Sequence, residues 1–222
     1  MARMLLPSAA WIAVVGLLLF LPAGRWDWVQ AWVFLFVLTS TNLAIGAWLW
    51  RHDPGLLKER MKPVGVSETN PVNRLYMTGA LIAFHGWFGF MGWEARQPSP
   101  WPVWANALGA AGIAACMWIA WRTFRVNSFA ASTVKLQGER AQTVISTGPY
   151  ALVRHPMYAG ALLWMAGMPL LIGTAWDLLG AAVALGVIVV RARGEETLLA
   201  AELPGYADYL RKVRFRIIPG LW

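Results

Sequence analysis

The chain has 222 residues, 58% of them hydrophobic and only 14% charged, with 15 tryptophans and a formal net charge of +8. Soluble domains carry about 25% charged residues, so this composition excludes an ordinary soluble fold and places the chain among integral membrane proteins. The cations stand in short clusters between apolar runs, which argues against nucleic acid as a partner and fits topology signals and contacts to anionic membrane lipids.

A crossing helix needs about 20 largely apolar residues. In chain order such runs cover residues 5–21, 28–50, 75–93 and 103–121. The first also resembles a signal peptide ending near Pro22-Ala23-Gly24, but further spans follow and a first transmembrane helix looks the same. His85 lies within the third run, where an ionisable group is either a neutral histidine bonded to a neighbouring helix or a functional residue. Cys116, the only cysteine, lies in the fourth run and reads as a small buried hydrophobe. The last apolar stretch, residues 157–190, is too long for one crossing and contains Gly173-Thr174-Ala175-Trp176-Asp177 near its middle. It divides there into a helical hairpin whose second helix ends near Arg193.

The expected fold is therefore an all-α integral membrane protein of six transmembrane helices, or five if the first is removed or the hairpin is shallow. Residues 1–125 supply four spans, and residues 126–222 supply a loop, the C-terminal hairpin and a tail. With six spans, one side receives 17 of the 19 basic residues and the other only Arg25 and Arg96. Basic residues mark the cytoplasmic side, so both termini and the long connections at 51–74 and 122–155 belong there. Loops of that length have room to build a site. In the tail, Leu198, Leu199, Leu203, Tyr206, Tyr209, Leu210 and Val213 form an amphipathic helical pattern interrupted by Pro204-Gly205, suited to the membrane interface or to capping a pocket.

Two clusters carry chemistry. The first is Ser146–Leu163, "STGPYALVRHPMYAGALL". Pro156 suits the first position of a helix, where a missing N–H costs nothing. His155 then falls at the cap, Tyr158 in the first turn and Gly160 in the second. Free backbone N–H groups and the positive helix end favour an anion there, with Arg154 and His155 adding side-chain donors. Headgroup anchoring explains Arg154 but not the Gly-Pro-Tyr150 lead-in or the histidine. The second cluster is "RARGEETLLAAELPGYADYL", in which Arg191 and Glu195 share a helix face. Alone it reads as a solvated helix end with an ordinary ion pair; at the mouth of the same hairpin as His155 it reads as the other wall of one site. Metal-ligand spacings, GxGxxG, a P-loop and GxSxG are all absent, so neither a metal nor a soluble-type dinucleotide site is expected.

Gly148-Pro149-Tyr150, Arg154-His155-Pro156-Met157-Tyr158-Ala159-Gly160, Glu195-Glu196, Tyr206-Ala207-Asp208-Tyr209 and Ile218-Pro219 resemble the isoprenylcysteine carboxyl methyltransferase family and its bacterial relatives. Phospholipid methyltransferases share the same C-terminal half. The resemblance covers residues 127–222 and, in the first half, Asp53-Pro54-Gly55-Leu56-Leu57-Lys58-Glu59-Arg60. It implies an enzyme of the bacterial inner membrane that moves a methyl group from S-adenosylmethionine to a lipophilic or lipid-modified carboxylate, thiol or amine. It places Tyr150, Arg154, His155, Pro156, Tyr158, Gly160, Glu195 and Glu196 at the cofactor, with Arg191 and Glu195 catalytic near the acceptor. Sterol and steroid reductases carry a similar RHPxY element and ending, so an NADPH-dependent reductase is the alternative enzyme, and a non-enzymatic membrane protein the third reading.

Overall fold

The computed structural model describes residues 2–62, 71–131 and 137–222. Its helices are α1 (Ala2–Ala23), α2 (Val29–His52), α3 (Pro54–Arg60), α4 (Pro71–Glu94), α5 (Val103–Phe124), α6 (Pro156–Ile172), α7 (Asp177–Glu202) and α8 (Tyr206–Lys212). The six long ones coincide with the six apolar runs. Three of them, α1 over Leu6–Ala23, α2 and α5, are long and apolar enough to cross a membrane, whereas α6 is apolar but shorter. Lys135 lies outside the described residues, as do the side chains of Arg3 and Arg74. Trp26, Trp50, Trp93 and Trp104 are exposed near helix ends, as interfacial anchors should be.

Small residues set the packing. In lipid there is little hydrophobic gain from pairing helices, so close backbone contact must hold them together. Between α5 and α6 the backbones touch: a Cβ on Gly109 would lie 2.4 Å from the Gly167 carbonyl oxygen, and one on Gly112 3.1 Å from that of Leu163. Gly92 of α4 stands equally close to Leu18 and Leu19 of α1. Around these contacts Val15, Leu19, Phe34, Phe88, Met91, Ile113 and Met168 form one buried core. The core draws on both sides of residue 125, so the two halves share it.

The α6–α7 turn is fastened by side chains from four other places. A helix end leaves carbonyls without intrahelical donors. The Trp28 indole donates to the Ile172 carbonyl, Asn106 to those of Leu170 and Leu171, and Trp101 to that of Thr174. Gly173 closes the helix at φ +95°. Glu94 then accepts from the Ala175 and Trp176 N–H groups at 2.6 and 3.1 Å and so caps α7.

Two expectations change. The second hairpin helix does not end near Arg193 but continues to Glu202, because residues 191–202 contain no proline and favour helix; Pro204-Gly205, with Gly205 at φ +84°, is the first breaker. His85 bonds within its own helix, donating to the Leu81 carbonyl, rather than to a neighbour. The tail takes the capping role. Leu203, Tyr206, Tyr209 and Val213 are buried against Val144, Tyr150 and Leu199.

Gly109→Ala places a methyl group against the α6 backbone, which no side-chain rotation relieves. It should cost about 1–3 kcal/mol and lower the apparent melting temperature of the detergent-solubilised protein. Gly86→Ala, where a Cβ meets nothing within 4 Å, should leave it unchanged or slightly raised.

Candidate active site

The lead-in turn is built by its glycine and proline. Gly148 sits at φ +60°, where any other side chain is strained, and Pro149 opens a 3-10 turn over Gly148–Ala151. The turn aims Tyr150 inward: its hydroxyl accepts from the Asn127 amide at 2.6 Å, and its carbonyl accepts from the Tyr209 hydroxyl. Burial pushes the Tyr150 phenol up to about 12, so it stays neutral.

Past this turn the chain pairs with the C-terminal tail. The Arg154 and His155 N–H groups donate to the Phe215 and Arg216 carbonyls at 2.9 and 2.8 Å. His155 caps α6 and Pro156 begins it, as the sequence predicts. The expected row of open N–H donors is shorter than anticipated. Pro156 has none, and the Tyr158 and Ala159 N–H groups turn back to the His155 carbonyl, which leaves Met157 in the first turn.

Glu196, 6% exposed, is where the walls meet. Its Oε1 lies 2.9 Å from Arg154 Nε and accepts from His155 Nε2 at 3.2 Å, while its Oε2 accepts from Arg216 Nε at 2.9 Å. Burial pushes this carboxyl upward, but the bonds from His155 and Arg216 and the charges of Arg154 and His155 outweigh it and hold it below the usual carboxylate range. The adjacent Glu195 points the other way. Its Oε2 accepts from the Tyr158 hydroxyl at 2.8 Å, and the Tyr158 hydroxyl oxygen in turn accepts from Arg191 Nε at 3.0 Å. The His155 and Tyr158 rings stack at 5.2 Å.

These groups enclose a cavity of about 390 Å³, within the range of small-molecule sites. Tyr150, Arg154, His155, Pro156, Tyr158, Arg191 and Glu195 all line it, over an apolar floor that includes Leu199 and Leu203. Two predicted residues stand elsewhere. Gly160 faces α5, with a Cβ position 3.4 Å from Cys116 Sγ; its small size serves helix packing rather than the cavity. Glu196 stands behind the wall and holds it. Residues the sequence reading did not assign to the site are Asn127, Arg60 and Arg216. Arg216 carried no signal beyond its charge, because its partner lies 20 residues away across an irregular segment.

Removing the Glu196 charge strands the Arg154 and Arg216 guanidinium groups around a buried site. Glu196→Gln should cost about 3–5 kcal/mol at pH 7, measured by thermal or denaturant unfolding. Because the folded pKa is lowered, this stability is present above the unfolded value of about 4.3 and is lost as pH falls through the folded one. The gap between wild type and variant should therefore narrow below about pH 4, and a gap that persists unchanged there contradicts the assignment.

A comparison with curated proteins gives no match. Residues 104–203 match the family model described as phospholipid methyltransferase. That region runs from α5 through the lead-in turn and the hairpin to the break before α8, and it contains every residue from Tyr150 to Glu196 placed around the cavity. The segment that builds the site is thus the part of the chain that is similar to the phospholipid methyltransferase family, the group to which the isoprenylcysteine methyltransferase resemblance pointed.

Proposed function

We propose that the protein is a membrane methyltransferase that uses S-adenosylmethionine and acts from the cytoplasmic face on a lipophilic acceptor, as an isoprenylcysteine carboxyl methyltransferase-like enzyme would. One observation carries the reading: the polar cavity adjoins a second, apolar cavity of about 600 Å³, and the two share Arg60, Met157 and Ala161 as lining residues. A water-soluble donor and a lipid-soluble acceptor need such adjoining chambers.

The cavity's side chains suit this cofactor. Arg154 and the Met157 N–H favour its carboxylate, and Glu195 its ammonium and ribose hydroxyls. The faces of Tyr150, Tyr158 and Tyr206 suit a sulfonium. When bound, S-adenosylmethionine supplies an electrophilic methyl group. The chain's own contribution is to orient the acceptor and keep water out. The Arg191–Tyr158–Glu195 chain of hydrogen bonds fixes the Glu195 carboxylate at the cavity wall. For a carboxylate or thiolate acceptor no base is needed; for an amine, Glu195 receives the proton.

Purified protein should transfer label from methyl-labelled S-adenosylmethionine to a component of a membrane lipid extract, identified by mass. Glu195→Gln should lose cofactor binding by calorimetry. Tyr158→Phe, which removes both hydrogen bonds of the chain, should lower kcat about 10- to 100-fold with little change in the cofactor KM. Tight NADPH binding with none of S-adenosylmethionine returns the reductase reading instead.

A further inference from the structure

The apolar cavity is walled by Trp11 and Ile12 of α1, Ile45 and Leu49 of α2, Met117 of α5 and Trp164 of α6, among others. Among its described lining residues Arg60 is the one charged side chain. It lines both this cavity and the polar one, at the end of the short helix α3. That helix is fixed in place: Asp53 caps it by accepting from the Leu56 N–H at 2.8 Å, and Leu56 is fully buried.

The guanidinium itself is held but not neutralised. It donates one N–H to the Ala130 carbonyl at 2.9 Å and lies 4.6 Å above the Phe124 ring. Among the described residues no carboxylate forms an ion pair with it. A guanidinium has five N–H donors, so several remain to be met by something else. Arg60 is half-buried, and a cation partly withdrawn from water favours an anionic partner. An apolar chamber about 600 Å³ in volume with a single fixed cation at its inner mouth has the polarity of an amphiphile turned inside out.

We propose that Arg60 is a specificity-determining residue for the acceptor: the apolar cavity takes one hydrocarbon chain, and the Arg60 guanidinium receives an anionic head group at the junction with the polar cavity. This rests on the methyltransferase reading for its consequence, since it sets the reacting end of the chain beside Met157 and Ala161, but the binding site stands independently of it. A planar fork of donors suits a head group with two anionic oxygens. One guanidinium and one chamber suit a single-chain amphiphile rather than a two-chain lipid.

The test is photolabelling of the full-length protein in detergent micelles with a diazirine-bearing long-chain fatty acid, its methyl ester and the matching alkyl phosphate, with labelled peptides mapped by mass spectrometry. The carboxylate and the phosphate should label peptides carrying Met117 and Trp164 saturably, about ten-fold or more tightly than the ester. Arg60→Gln should bring acid and ester to the same affinity, with ester labelling retained as proof that the cavity persists, and Arg60→Lys should restore part of the preference. Unchanged preference in Arg60→Gln, equal labelling by acid and ester in wild type, or displacement by a two-chain phospholipid at lower concentration than by the single-chain acid would overturn the proposal. Titration of S-adenosylmethionine into the unaltered protein tests the methyltransferase reading separately, so the two can fail apart.

Discussion

A single buried carboxylate ties the cavity end of this protein together. Glu196 meets Arg154 and His155 from the segment that starts α6, and Arg216 from the tail beyond α8. Isolated, such groups would be expensive to bury; together Glu196 pairs with Arg154 by charge and accepts hydrogen bonds from His155 and Arg216. An ion cluster of this kind adds little net stability over an apolar core, yet removing one member leaves the others stranded. Its contribution is registry. The start of α6, the C-terminal end of α7 and an irregular tail have no shared secondary structure to align them, and Glu196 supplies the alignment.

Adjacent glutamates therefore divide the labour. On a helix, neighbouring positions face about 100° apart, so Glu195 and Glu196 cannot both look into one cavity. Glu196 turns to the cations behind the wall, and Glu195 turns to Tyr158 and the cavity. The backbones of α5 and α6 touch through Gly109 and Gly167, and Arg60 of α3 lines both the polar and the apolar chamber. In the proposed reaction, membrane-soluble and water-soluble reactants would meet at this point from different directions.

Much of this was legible in the sequence because it depends on local signals. Apolar run length, basic-residue asymmetry, Pro156 after His155 and the Gly173 turn each fix a neighbourhood of a few residues. The proximity of His155 to Glu195 and Glu196 followed from the hairpin alone. What lay hidden depends on distant partners or on symmetrical choices. Gly160 permits close approach of either a ligand or a helix, and only the position of Cys116 decides between them. Arg216 and Arg60 looked like topology charges, as most clustered cations at membrane borders are. The length of α7 was misjudged because the end of an apolar run is not the end of a helix; Pro204-Gly205 is.

The most direct measurement is a structure of the protein with S-adenosylhomocysteine bound. The geometry predicts that the ligand lies in the cavity against Tyr158 and Glu195, with Glu196 still bound to Arg154, His155 and Arg216. A ligand seated elsewhere, or Glu196 turned out of its cation cluster to contact the ligand, would contradict the division of roles between the two glutamates.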